Sequence, residues 1–110
     1  MVKNDSTFLR DWADRKSAEL SSLSISSEIF SREFIDDKRV QDPSLGVIHE
    51  SQYCLGQILV WESQQFEMEV VHIDTEELIY WEYLEKIDSN TDLDEITSDY
   101  FQILQTGLKL

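Results

Sequence analysis

Apolar side chains recur at steps of three and four near the start of the chain: Phe8, Leu9, Trp12, Leu20 and Leu23, with Lys16 filling the position four after Trp12. That period predicts an amphipathic helix over residues 6–22. Ser6 supplies a side-chain cap for its first amides. Arg10, Asp11, Asp14, Arg15 and Glu19 form the solvated face, and Ala13 and Ala18 raise helix propensity. Serines at 21, 22, 24, 26 and 27 weaken any continuation, while Ile25, Ile29 and Phe30 suit a strand, and Phe34 and Ile35 a second one. Between 36 and 46, Asp36-Asp37-Lys38-Arg39 and then Pro43 and Gly46 predict a turn or loop.

From Val47 the pattern changes to that of strands. Val47-Ile48-His49 and Tyr53-Cys54-Leu55 are short extended segments, and Gly56 introduces a clear strand at 57–62. In 66–73, Phe66, Met68 and Val70 alternate with Glu67 and Glu69, so one face is buried and the other wet. Residues 78–84 form another strand. Three strands joined by turns of a few residues describe an antiparallel meander. Thr91, with Asp94 three residues on, fits a capping box that opens a second helix. Leu93, Ile96, Tyr100, Ile103, Leu104 and Leu108 form its apolar stripe, and Gly107 stands where a helix-terminating glycine belongs. The expected fold is α+β: an antiparallel β-meander sheet with an N-terminal and a C-terminal helix packed on one face. At 110 residues, 41% of them hydrophobic, the chain suits a single domain over 1–110 with a packed interior.

Charge narrows the function. Nine Lys and Arg stand against 23 Asp and Glu, a net charge of −14, and from residue 41 onward only Lys86 and Lys109 oppose 15 acidic residues. Such a field repels nucleic acid and anionic lipid and attracts basic proteins. The expected partner is therefore a protein, with no nucleic acid and no membrane. The first residues lack the apolar run of a secretory signal, and the longest apolar stretch, 58–61, is far short of a membrane span, so the expected location is the cytoplasm. The single cysteine, Cys54, has no partner within the chain for a disulfide.

No catalytic template fits. The chain has no glycine-rich phosphate loop, no Cys-x-x-Cys, no His-Glu-x-x-His and no Gly-x-Ser-x-Gly. Cys54 has only His49 and His72 as histidines to pair with, and its apolar neighbours Tyr53 and Leu55 point to a buried, inert thiol. No spacing of His49, His72 and nearby acids matches a metal site. The reading is a binding protein with no catalytic residues, metal or cofactor.

The acids of the meander suggest where binding occurs. Glu62, Glu67, Glu69 and Glu82 fall on its wet positions and Asp74, Glu76 and Glu77 in its turns. With strands about 4.8 Å apart these would form one continuous acidic patch. In Tyr80-Trp81-Glu82-Tyr83, alternation separates Trp81 and Tyr83 from Tyr80 and Glu82, without saying which pair points inward. Tyr80 is the candidate anchor among the acids, since a Tyr in a charged surface has the composition of an interface hot spot.

Trp61-Glu62-Ser63 followed by Phe66-Glu67-Met68-Glu69-Val70 resembles the core motif of the TriTu type of bacterial immunity protein. Phe8-x-x-x-Trp12 with Lys16, Gly56-Gln57-Ile58, Trp81-Glu82 and the C-terminal helix extend the resemblance over most of the chain, more loosely between 24 and 50. It implies a protein that binds and neutralises the C-terminal toxin domain of a contact-dependent growth inhibition system. That partner is often a basic nuclease, in some systems one that attacks tRNA with elongation factor Tu as a third component. It carries over no catalytic residues. The competing reading is an acidic adaptor or nucleic-acid mimic unrelated to toxin immunity.

Overall fold

A computed structural model describes residues 7–88 and 90–110. Helix α1 (Thr7–Ser21) is followed by five strands: β1 (Ser26–Ile35), β2 (Lys38–Glu50), β3 (Cys54–Trp61), β4 (Phe66–His72) and β5 (Leu78–Leu84). Two C-terminal helices, α2 (Leu93–Ile96) and α3 (Ser98–Thr106), complete the order. The strands form one antiparallel sheet in sequence order, β1-β2-β3-β4-β5. The expected α+β arrangement, a meander with helices at both ends of the chain, is what forms.

The core lies between this sheet and the helices. Leu45 and Val47 of β2, Cys54, Ile58 and Val60 of β3, and Phe66, Met68 and Val70 of β4 pack with Leu9, Trp12 and Leu20 of α1 and with Tyr100, Phe101, Ile103 and Leu104 of α3. Each such aliphatic or aromatic side chain contributes roughly 1.5–3 kcal/mol by leaving water. Ser51 fastens the β2–β3 turn to α3: its hydroxyl donates to the Leu104 carbonyl at 2.6 Å and accepts from the Cys54 amide at 3.0 Å.

Helix α1 ends as its backbone hydrogen bonds dictate. The Ile25 amide reaches the Leu20 carbonyl at 3.0 Å and the Ser24 amide reaches Ser21 at 3.1 Å, while Ser24 adopts φ 62°. This is a Schellman closure with serine in the left-handed position that glycine usually takes. It buries Ile25 and Leu20 and leaves Leu23, expected on the apolar stripe, 49% exposed. The expected Ser6 cap lies outside the described residues.

Four expectations need correction. Phe34 and Ile35 belong to β1 itself and not to a second strand, and residues 38–46 are strand where a loop was expected. Only Asp36 and Asp37 turn the chain, with φ 53° and 66°, and Ile35 pairs with Lys38. Two left-handed residues in a two-residue hairpin match the twist of the strands. Pro43 sits where the β1–β2 register shifts, between the Arg32–Ser44 and Phe34–Arg39 pairs, a place that tolerates a missing N–H. Gly46 is a seat for the Phe30 ring, which a Cβ there would strike. At the other end the cap of α2 is Asp92, whose carboxylate accepts from the Glu95 amide at 3.1 Å. Thr91 instead accepts the Asp88 amide at 2.9 Å. Gly107, at φ 72°, ends α3 as expected and leaves Leu108 exposed rather than on the stripe.

Candidate partner-binding surface

Alternation along β3 and β4 divides the sheet cleanly. Cys54, Gly56, Ile58, Val60, Phe66, Met68 and Val70 face the helices, so Leu55, Leu59, Trp61, Glu67, Glu69 and Val71 face the other way. No helix covers that second face among the described residues. Strand register places Glu67 opposite Tyr83 and Glu69 opposite Trp81 on it. Trp81 is 53% exposed and Tyr83 37%. Their rings are nearly parallel, 6° apart with centroids 6.4 Å apart. The Trp81 indole N–H donates to a Glu67 carboxylate oxygen at 2.6 Å. Further across the same face, Phe30 and Leu59 close over Gly46.

This open face combines exposed aromatic rings, aliphatic surface and two carboxylates about 7 Å apart along one strand. Exposed apolar surface interspersed with charge is the composition of a protein contact.

The other acids expected in that patch do not join it, which corrects the expected continuous patch. Glu82 is paired with Met68 and Tyr80 with Val70, so both lie on the helix side of the sheet. Tyr80 is half-buried, edge-on to Tyr100 at 6.5 Å, and burial with the charges of Glu82 and Asp99 raises its pKa. That packing turns Tyr80 away from the open face and leaves Trp81 and Tyr83 as the aromatic residues that β5 presents there. Glu62 directly follows β3 and pairs with Arg39 of β2 at 2.9 Å. Asp74, Glu76 and Glu77 occupy the β4–β5 turn. Glu77 is bound by Lys109 at 2.7 Å, a hydrogen bond that lowers its pKa.

The remaining chemistry-bearing residues serve the fold. His49 is buried with its Nδ1 2.8 Å from the Tyr100 hydroxyl, and burial lowers its pKa to about 4. Cys54 is fully buried beneath α3, its Sγ 3.9 Å from the Ile103 carbonyl, and burial raises the thiol pKa. His72 lies across from Cys54 in the register, but its Nδ1 accepts the Asp74 amide at 3.2 Å. A groove of about 220 Å³ between α1 and α2 is lined by Phe8, Trp12, Arg15, Asp92 and Asp94. Its acids are already engaged: Asp92 caps α2, and Asp94 accepts the Trp12 indole at 2.9 Å and faces Lys16 at 3.5 Å. Lys16 also lies 5.3 Å above the Phe101 ring, so Trp12 and Lys16 clamp the terminal helices together.

Among the described residues no group of three or more His, Cys, Asp or Glu is placed to hold a metal ion, and no helix is long and apolar enough to cross a membrane. A family model described as Immunity protein TriTu matches residues 7–103. No curated protein and no solved structure matches the chain.

Proposed function

The chain belongs to the TriTu family of immunity proteins, whose role is to neutralise a toxin, and on that basis we propose that it binds a basic toxin domain, a nuclease of a contact-dependent growth inhibition system, through the acidic open face of its sheet. Glu67 and Glu69 are the central acidic contacts of this reading. Asp74, Glu76 and Glu77 in the adjoining turn widen the negative field. Tyr80 acts behind the sheet as packing for the strand that carries Trp81. Inhibition is by binding rather than by catalysis and takes place in the cytoplasm, where the toxin would act. Elongation factor Tu, where it takes part, joins through the toxin.

The observation that carries the proposal is the pairing of family membership with charge. A nuclease presents a basic groove to its substrate, and a partner at −14 is steered to such a groove, so that capture precedes damage. Complementary charge also penalises wrong partners. The test is the affinity of the purified chain for the basic C-terminal domain of the toxin encoded beside it, followed against salt, with growth protection in cells expressing that domain. A tight complex that weakens as salt rises, together with protection, is expected. Binding without protection, or recovery of an unrelated basic protein instead, would replace immunity with an adaptor role.

A further inference from the structure

The most exposed large apolar side chain of the open face is Trp81, at 53%, and its setting beside Tyr83 selects a particular kind of cation. Trp81 and Tyr83 point the same way from an edge strand with their rings nearly parallel, 6.4 Å between centroids. The indole N–H of Trp81 is held by Glu67, which fixes the ring plane and leaves the ring face for a partner. Glu69, directly across from Trp81, has no hydrogen-bond or ion-pair partner among the described residues. Glu62, Glu77 and Asp94, by contrast, each already hold a cation of the chain itself.

From this we infer that the Trp81–Tyr83 platform with Glu69 is a receptor for one arginine side chain of the toxin domain. The inference rests on the toxin-binding reading and names the chemistry of that same site. The guanidinium lies flat on the aromatic faces, and its N–H fork reaches the free Glu69 carboxylate. Arginine fits better than lysine because it is planar, stacks on aromatic rings and presents paired donors to a carboxylate. Tryptophan is the strongest ring partner for a cation. Trp, Tyr and Arg are also the residues that dominate interface energetics, pairing across the contact. A second copy of the chain is a poor occupant, since it would bring the same net charge of −14 against this face. The chain's own Arg32 lies on β1, at the opposite edge of the sheet from β5, so it does not satisfy the platform.

Two measurements on the whole chain test this. In the first, nitrogen-15-labelled protein is titrated with the peptide Gly-Arg-Gly and, separately, Gly-Lys-Gly, while the indole N–H signals are followed by NMR. Trp12 and Trp61 are internal controls. The Trp81 signal is expected to shift saturably with the arginine peptide, with half-saturation on the order of 1 mM, and less with the lysine peptide. A Trp81 signal that moves no more than those of Trp12 and Trp61 overturns the inference.

The second compares Trp81→Phe and Trp81→Leu in binding to the toxin domain, with the circular dichroism spectrum confirming that each folds. The leucine variant is expected to bind about tenfold more weakly than the phenylalanine variant, because it keeps the apolar area and loses the ring face. Equal affinity of the two also overturns it. The peptide titration needs no toxin, so the two readings fail separately. A silent Trp81 with intact toxin binding removes the arginine platform alone, whereas a responsive Trp81 without toxin binding removes the toxin reading and leaves an arginine receptor for another basic protein.

Discussion

Lowering the pH should destabilise this protein through His49, and the size of the effect follows from its burial. The ring is 1% exposed, edge-on to Phe101 at 5.1 Å, with Nδ1 against the Tyr100 hydroxyl. Removing a charged imidazolium from water is unfavourable, so burial holds the folded-state pKa at about 4 against 6.5 for the free side chain. As pH falls below 6.5 the unfolded chain takes up the proton first, and stability drops until the folded state follows near pH 4. Integrating that difference between pH 7.5 and 4.5 gives a loss of roughly 2–3 kcal/mol from this one residue. Many carboxylates titrate in the same range, so the reference is His49→Gln, in which they are all retained. The variant should be less stable at pH 7.5, by about 1–2 kcal/mol, for the loss of the buried hydrogen bond. Urea unfolding of both proteins at several pH values, read by tryptophan fluorescence, gives the wild-type advantage as a function of pH. It should shrink by roughly 2–3 kcal/mol between pH 7.5 and 4.5 and change sign on the way. An advantage constant across that range would refute the neutral buried histidine.

Other outcomes follow from single positions. Ser24→Gly should raise stability by about 0.5–1 kcal/mol, since serine at φ 62° strains where glycine does not, and a thermal melt compares the two proteins directly. Gly56→Ala should cost roughly 1–3 kcal/mol, because its Cβ would fall on the Tyr100 hydroxyl and crowd Leu104; chemical denaturation measures the loss, and an unchanged midpoint would mean that α3 sits further from β3. Cys54, buried beneath α3 with its thiol pKa raised, should resist a thiol reagent in the folded protein and react at once in denaturant.

The parts of this structure that can be read from sequence are those with an unbroken period. Helix α1 and strand β4 follow directly from their spacing, as does Gly107 at the end of α3. Strand β3, by contrast, runs unbroken from Cys54 to Trp61 where a short segment at 53–55 and a strand from 57 were expected. Strand β2 is hidden because Pro43 and Gly46 look like punctuation. One occupies a register shift and the other a seat for Phe30 from a different strand, and neither role is visible locally. Likewise Thr91 has the spacing of a cap, but its hydroxyl is taken by the Asp88 amide and Asp92 caps in its place.

The open face is half legible. Alternation alone assigns Glu67 and Glu69 to one side. The orientation of Tyr80 against Trp81 depends on the irregularity between Val70 and Val71, where the β4–β5 register shifts. The length of the turn does not reveal that shift, so the aromatic pair facing outward emerges only from the folded sheet. The resemblance to the family, in turn, draws on Trp12 and Lys16, and these prove to be residues that join helices.

The most direct test of toxin capture by the open face is the association rate of the toxin domain with the double variant Glu67→Lys/Glu69→Lys, measured at low and moderate salt beside the wild type. Reversing both charges should slow association about tenfold or more at low salt, with the gap narrowing as salt rises, and should weaken the complex. Association and affinity unchanged from wild type at both salt concentrations would contradict the account and place the toxin on another surface of the molecule.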